Sequence, residues 1–130
     1  MGNKIENTNS LFLSWSKRNL SIFGKVLIIK VLSIPIFTFI ASACVIPEKY
    51  KKEIESKCLK FIWNGKPDKL KRNTLLGDFE KGGLKMIDIE SYFISLKASW
   101  IGRLADSKCS NWKLIPLKYL NVFGENMAYF

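Results

Sequence analysis

The chain has 130 residues, of which 48% are hydrophobic and 25% charged, with 21 Lys and Arg against 11 Asp and Glu, a net charge of +10, and no His. That length suits one domain, and those fractions are ordinary for a folded protein, so wholesale disorder is excluded, while the positive excess favours a polyanionic partner. The lack of His removes the commonest metal ligand and the side chain that most easily moves protons near neutral pH, which argues against zinc-hydrolase and Ser-His-Asp chemistry.

Residues 1–10 read as a polar N-terminal tail with no apolar run of a secretory signal. Ser21 is placed to cap a helix over 21–33. The stretch Val26–Ile46 is apolar almost all round, with Lys30 its only charge, so it is expected to be buried on most faces or to lie in a membrane. Pro35 removes a backbone donor and is expected to end or kink the helix near Ser33, leaving a second piece over 35–44. Pro47 opens a further helix over 48–63, in which Tyr50, Ile54, Cys58 and Ile62 recur every four residues and Asn64-Gly65 supplies the stop.

From Lys66 to Gly83 the periodicity is lost, and at most a short β-hairpin is expected between 70 and 87. Asp88 caps a last helix over 89–104 with an apolar stripe of Ile89, Phe93, Leu96, Trp100 and Leu104. The fold class expected is therefore mainly α: a small helical domain over 11–105, followed by a C-terminal extension over 106–130 whose final apolar cluster (Leu117, Tyr119, Leu120, Val122, Phe123) has no cap and reads as truncated. The core is expected to join Ile29, Leu32, Ile36, Ile54, Cys58, Ile62, Phe93, Leu96 and Trp100, sealed by Trp63.

Chemistry-bearing residues are sparse. Asp68, Asp78, Asp88 and Asp106 are scattered, and Glu53 and Glu55 sit on a lysine-rich helix, so no pair points to a metal or acid/base site. Gly82-Gly83 reads as a turn requiring positive φ rather than a phosphate cradle. Cys44, Cys58 and Cys109 match neither a disulfide framework nor a Cys-x-x-Cys metal site and read as reduced thiols of an intracellular protein, nuclear or cytoplasmic. The basic residues say more: Lys49 to Arg72 holds nine of them against three acids. Such a run is either a solvated helix face and loop or a polyanion-binding surface.

Read in order, several segments resemble one family. Trp15-x-x-Arg18-x-Leu20-Ser21-x-x-Gly24-Lys25-x-x-x-Ile29-Lys30-x-x-x-x-Pro35 is similar to a block that follows the catalytic core of reverse transcriptases from LINE-type non-LTR retrotransposons. Val45-Ile46-Pro47, Phe61-Ile62-Trp63-Asn64-Gly65-Lys66, Lys81-Gly82-Gly83-Leu84-x-x-x-Asp88 and Leu96-Lys97-Ala98-Ser99-Trp100-Ile101-x-Arg103-Leu104 resemble the next blocks, in the same order and at similar spacing. The resemblance covers about Leu11 to Trp112; single blocks are weak, but five in register are specific.

The resemblance implies the thumb and connector of such a polymerase, helices that grip a primer-template duplex. The consecutive metal-binding aspartates of that family are not in this sequence, so no catalysis, metal or cofactor is expected from the chain. Lys25 stands where many members have Arg. The partners implied are RNA, DNA or an RNA-DNA hybrid, together with the palm region of the parent polymerase, which would cover the apolar stretch; no membrane is expected. Resemblance and charge together mark Lys17, Arg18, Lys25 and Lys30, with Lys66, Lys69, Lys71 and Arg72 from the loop, as phosphate contacts. The alternatives from other classes are a small membrane protein spanning about 26–46 and a helical module that docks on an acidic protein.

Overall fold

Pro35 determines how the longest apolar stretch is built. Its missing N–H and its ring disturb the preceding turn, and the backbone answers with a π-helical turn, Ile29–Ser33, in which Ile34 N–H donates to the Ile29 carbonyl. This turn joins α2 (Ile22–Ile28) to α3 (Ile34–Ala43). The computed structural model describes residues 1–118, and these are mainly helical, with no strand among them. Besides α2 and α3 they form α1 (Gly2–Ser16), α4 (Glu48–Trp63), α5 (Arg72–Leu76) and α6 (Ile89–Ala105), with single 3₁₀ turns at Phe79–Lys81 and Asn111–Lys113. The chain divides into two units, Met1–Lys97 and the residues from Ala98 on.

In the first unit α1 packs on α3 and α4, and α2 packs on α4. Ile29, Ile34, Phe37, Ala41, Ile54, Cys58 and Ile62 form its fully buried centre, joined by Phe61, Trp63, Leu75, Leu84, Met86, Ile89 and Phe93. Leu32, Ile36 and Leu96 are half-buried at its margin. Ser21 caps α2 by accepting from Gly24 N–H at 3.2 Å, and Asp88 caps α6 by accepting from Ser91 N–H at 3.2 Å. By length and composition Ile22–Ala43 would suffice to cross a membrane, but one face of it is committed to this core. The other face leaves Phe23, Leu27 and Val31 exposed in four-residue steps, with Phe39 exposed eight residues further on.

Residues 1–10 are not a tail. They form most of α1, because Ile5, Thr8 and Phe12 fall on one helical face and are buried, with Thr8 donating to the Lys4 carbonyl. Lys4 Nζ then ties α1 to α3 by donating to the Ile36 carbonyl at 3.1 Å. Between 70 and 87, where at most a short hairpin was expected, the chain forms α5, a 3₁₀ turn and a strap: Leu84 and Met86 N–H both donate to the Leu75 carbonyl, and Lys85 N–H to that of Gly77. Two donors converging on one carbonyl is not a ladder, and Gly77, Gly82 and Gly83 break the alternation a strand pair needs.

The α6 stripe also ends early. Ile89 and Phe93 are buried, but Trp100 is 41% exposed. It belongs to the second unit, where its ring meets Trp112 edge-on at 5.8 Å and the Arg103 guanidinium lies 5.0 Å from its centroid. The same unit buries Lys113, whose ammonium donates to the carbonyls of Asp106 and Lys108. Of the final apolar cluster, Tyr119, Leu120, Val122 and Phe123 lie outside the described residues.

Candidate nucleic-acid interface and the cleft between α1 and α4

The C-terminus of α4 organises the basic side chains around it. Asn64 adopts the left-handed conformation (φ 54°, ψ 40°), its N–H reaches the Phe61 carbonyl, and Gly65 N–H reaches the Lys60 carbonyl at 2.8 Å. This is a Schellman ending, with Asn in the position usually held by Gly. Lys66 N–H takes the Trp63 carbonyl at 3.0 Å. The last open carbonyl, that of Ile62, accepts from Lys25 Nζ at 3.3 Å, and Asn64 Oδ1 accepts from the same ammonium at 2.5 Å. All the final carbonyls of the helix are thus satisfied, one of them by a cation, the charge favoured at that end of the dipole.

This corrects the expectation for Lys25. It is 5% exposed, with the Phe61 ring 5.6 Å below its ammonium, and burial pulls its pKa down from the ordinary value. Position 25 falls on the core face of α2, between buried Val26 and the α4 terminus, so its ammonium serves a helix end and is not set out for a phosphate. Lys30, in the π turn, is half-buried.

Lys17 and Arg18 are exposed just after α1, and the Arg18 guanidinium lies 4.5 Å over the Trp15 ring. Lys66, Lys69 and Lys71 are exposed along the loop after α4, and among the described residues none of the three joins an ion pair. Arg72 differs: its guanidinium meets Glu55 at 3.1 Å and Asp68 at 4.0 Å, which offsets its charge locally. The carboxylates serve similar local ends, with Asp78 facing Lys85 at 3.4 Å and Asp88 capping α6. No group of three or more metal-ligating side chains occurs among the described residues.

A cleft of about 500 Å³ lies between α1 and α4, with Asn9, Leu13 and Ser16 on one side and Lys57, Lys60 and Asn64 on the other. Its floor is Phe12 and Phe61, stacked with centroids 4.4 Å apart and rings 8° from parallel. Lys57 Nζ donates to Asn9 Oδ1 at 3.0 Å and lies 3.7 Å from Glu53, whereas Lys60 is exposed. Among the described residues no carboxylate lines the cleft.

Lys57 and Lys60 belong to the basic run of Lys49 to Arg72 but not to the residues that sequence and resemblance mark as phosphate contacts. Their i, i+3 spacing next to Phe61 was the available sign, but its meaning depends on α1, whose Asn9 had been assigned to a tail. No protein-family model and no solved structure matches the chain.

Proposed function

We propose that this protein is a non-catalytic, thumb-like helical piece related to non-LTR retrotransposon reverse transcriptases, which binds RNA, DNA or their hybrid through phosphates without reading base sequence. The observation that carries this is the exposed, unpaired set Lys66, Lys69 and Lys71 on the loop that follows the Schellman ending of α4. Lys17 and Arg18 add a second exposed basic pair, and Lys30 stands half-buried between the two groups in the chain. Phosphate contacts of this kind position a protein on nucleic acid and carry no sequence information.

The residues of the resembling blocks have structural duties that suit a shared scaffold. Ser21 caps α2, Lys25 closes α4, Ile29 is fully buried, Pro35 sets the π turn, Asn64-Gly65 ends α4 and Asp88 caps α6. The exposed row of Phe23, Leu27, Val31 and Phe39 suits a surface that a larger body, such as the palm of a polymerase, would cover.

A salt titration of a hybrid duplex by fluorescence anisotropy tests the reading. Each neutralised phosphate contributes about −0.9 to the slope of log K against log salt, so changing Lys66, Lys69 and Lys71 to Gln should flatten that slope by up to about 2.7. A slope unchanged by that variant, or affinity that follows base sequence, would overturn the proposal. Lys25→Gln is expected to act on stability instead, because its ammonium is enclosed.

A further inference from the structure

We infer that the cleft between α1 and α4 is a subsite for one nucleotide unit, its phosphate held by Lys57, Lys60 and the Asn64 amide and its sugar and base lying along Leu13 and the edge of Phe12. The assignment rests on the nucleic-acid reading above for the identity of the ligand and on the cleft's own chemistry for everything else. A volume of about 500 Å³ is in the range of small-molecule sites. Lys57 and Lys60 line it; Glu53, 3.7 Å from Lys57, offsets part of that charge, and the Lys60 ammonium, in no ion pair among the described residues, favours an anion.

The polar groups left for a ligand are donors. Asn64 Oδ1 is engaged by Lys25, so the amide end left for a ligand is the NH₂, a donor. Lys57 is held in place by Asn9 and Glu53, while Lys60, one turn on, is free to swing onto a phosphate oxygen. Leu13, 67% exposed at the rim, supplies an apolar wall that an inorganic anion would not use but a ribose or base would.

The same phosphate chemistry comes either from a free mononucleotide or from one residue of a strand. Calorimetric titration of the full chain with AMP, adenosine and inorganic phosphate, followed by competition with a short single-stranded oligonucleotide, separates them. AMP is expected to bind about tenfold or more tightly than either fragment, and Lys57→Gln with Lys60→Gln to weaken it by a similar factor. Lys49→Gln with Lys52→Gln removes the same charge elsewhere on α4 and should leave AMP binding within about twofold. Ser16→Trp, at an exposed position on the rim, should block the cleft without removing any charge.

Displacement of AMP by the oligonucleotide identifies a strand as the source; simultaneous binding identifies a free nucleotide. AMP binding no tighter than that of adenosine, or unaffected by the Lys57/Lys60 and Ser16 variants while circular dichroism shows them folded, overturns the inference. Duplex binding whose slope depends on Lys66, Lys69 and Lys71, with no AMP binding, overturns the cleft alone. AMP binding without any polynucleotide affinity supports the cleft and overturns the broader reading.

Discussion

Lys25 and Asn64, 39 positions apart, close one helix end together: the ammonium lies 2.5 Å from the amide oxygen and also takes the last open carbonyl of α4. An ammonium withdrawn from water is tolerated only while its hydrogen bonds are made. Removing one acceptor should therefore cost more than removing the charge itself.

Asn64→Gly keeps a residue suited to the left-handed conformation but deletes the acceptor, and is expected to cost about 1–3 kcal/mol. In a Lys25→Met background the same change should cost less than about 0.5 kcal/mol, giving a coupling near 1–2 kcal/mol in a denaturant double-mutant cycle. Additive losses would mean that the two side chains do not share this contact in solution.

Cys58 gives a pH signature. Burial pushes its thiol from 9.0 up to about 12, with the nearby Ser33 hydroxyl working in the opposite direction. The unfolded chain releases this proton near 9, whereas the folded chain keeps it, so above that pH the unfolded state binds fewer protons and stability falls as pH rises toward 12. Cys58→Ala should remove that part of the alkaline loss. At pH 8 a disulfide reagent should quickly modify the exposed Cys44 and Cys109 and reach Cys58 only as the chain unfolds. Three equally fast thiols would contradict a buried Cys58.

The strap before α6 depends on a close backbone approach. A Cβ on Gly83 would sit 2.0 Å from the Gly77 carbonyl oxygen, and backbone on both sides cannot yield as a side chain would. Gly83→Ala is expected to cost more than about 2 kcal/mol. Gly82, at φ 76° with open space around it, should cost only about 1 kcal/mol as Ala. Thermal melts of the two variants check the order, and a mild Gly83→Ala would show that the strap is not held as described.

The legible parts of the sequence were those set by local rules. Ser21, Pro35, Asn64-Gly65 and Asp88 each act within a few residues, and each stands at the boundary it suggested. The role of Lys25 was not legible, because its partners lie 37 and 39 positions away and a lysine near a helix start reads as solvent-facing. Residues 2–10 were missed for a related reason: they carry one strong apolar residue, Ile5, and the buried Thr8 joins the core face only once its hydroxyl is satisfied by its own helix. The cleft was illegible for the same reasons, since Asn9 of α1 and the Lys25-bound Asn64 form part of its walls.

The break in the α6 stripe yields the last prediction. A repeat of apolar residues fixes which side of a helix they share but not how far along it a core extends, and here Phe93 is 4% exposed whereas Trp100 is 41% exposed. Phe93→Ala should cost about 3–5 kcal/mol, as deletion of a buried ring does, and Ile54→Ala about 2–5 kcal/mol. Trp100→Ala loses a half-open ring that contacts Trp112 and Arg103 inside the second unit, and should lower the main unfolding transition by well under the ~3 kcal/mol minimum for a buried Trp. Urea unfolding followed by far-ultraviolet circular dichroism, which does not depend on the deleted indole, measures all three. A Trp100→Ala loss equal to that of Phe93→Ala would extend the core along the whole of α6.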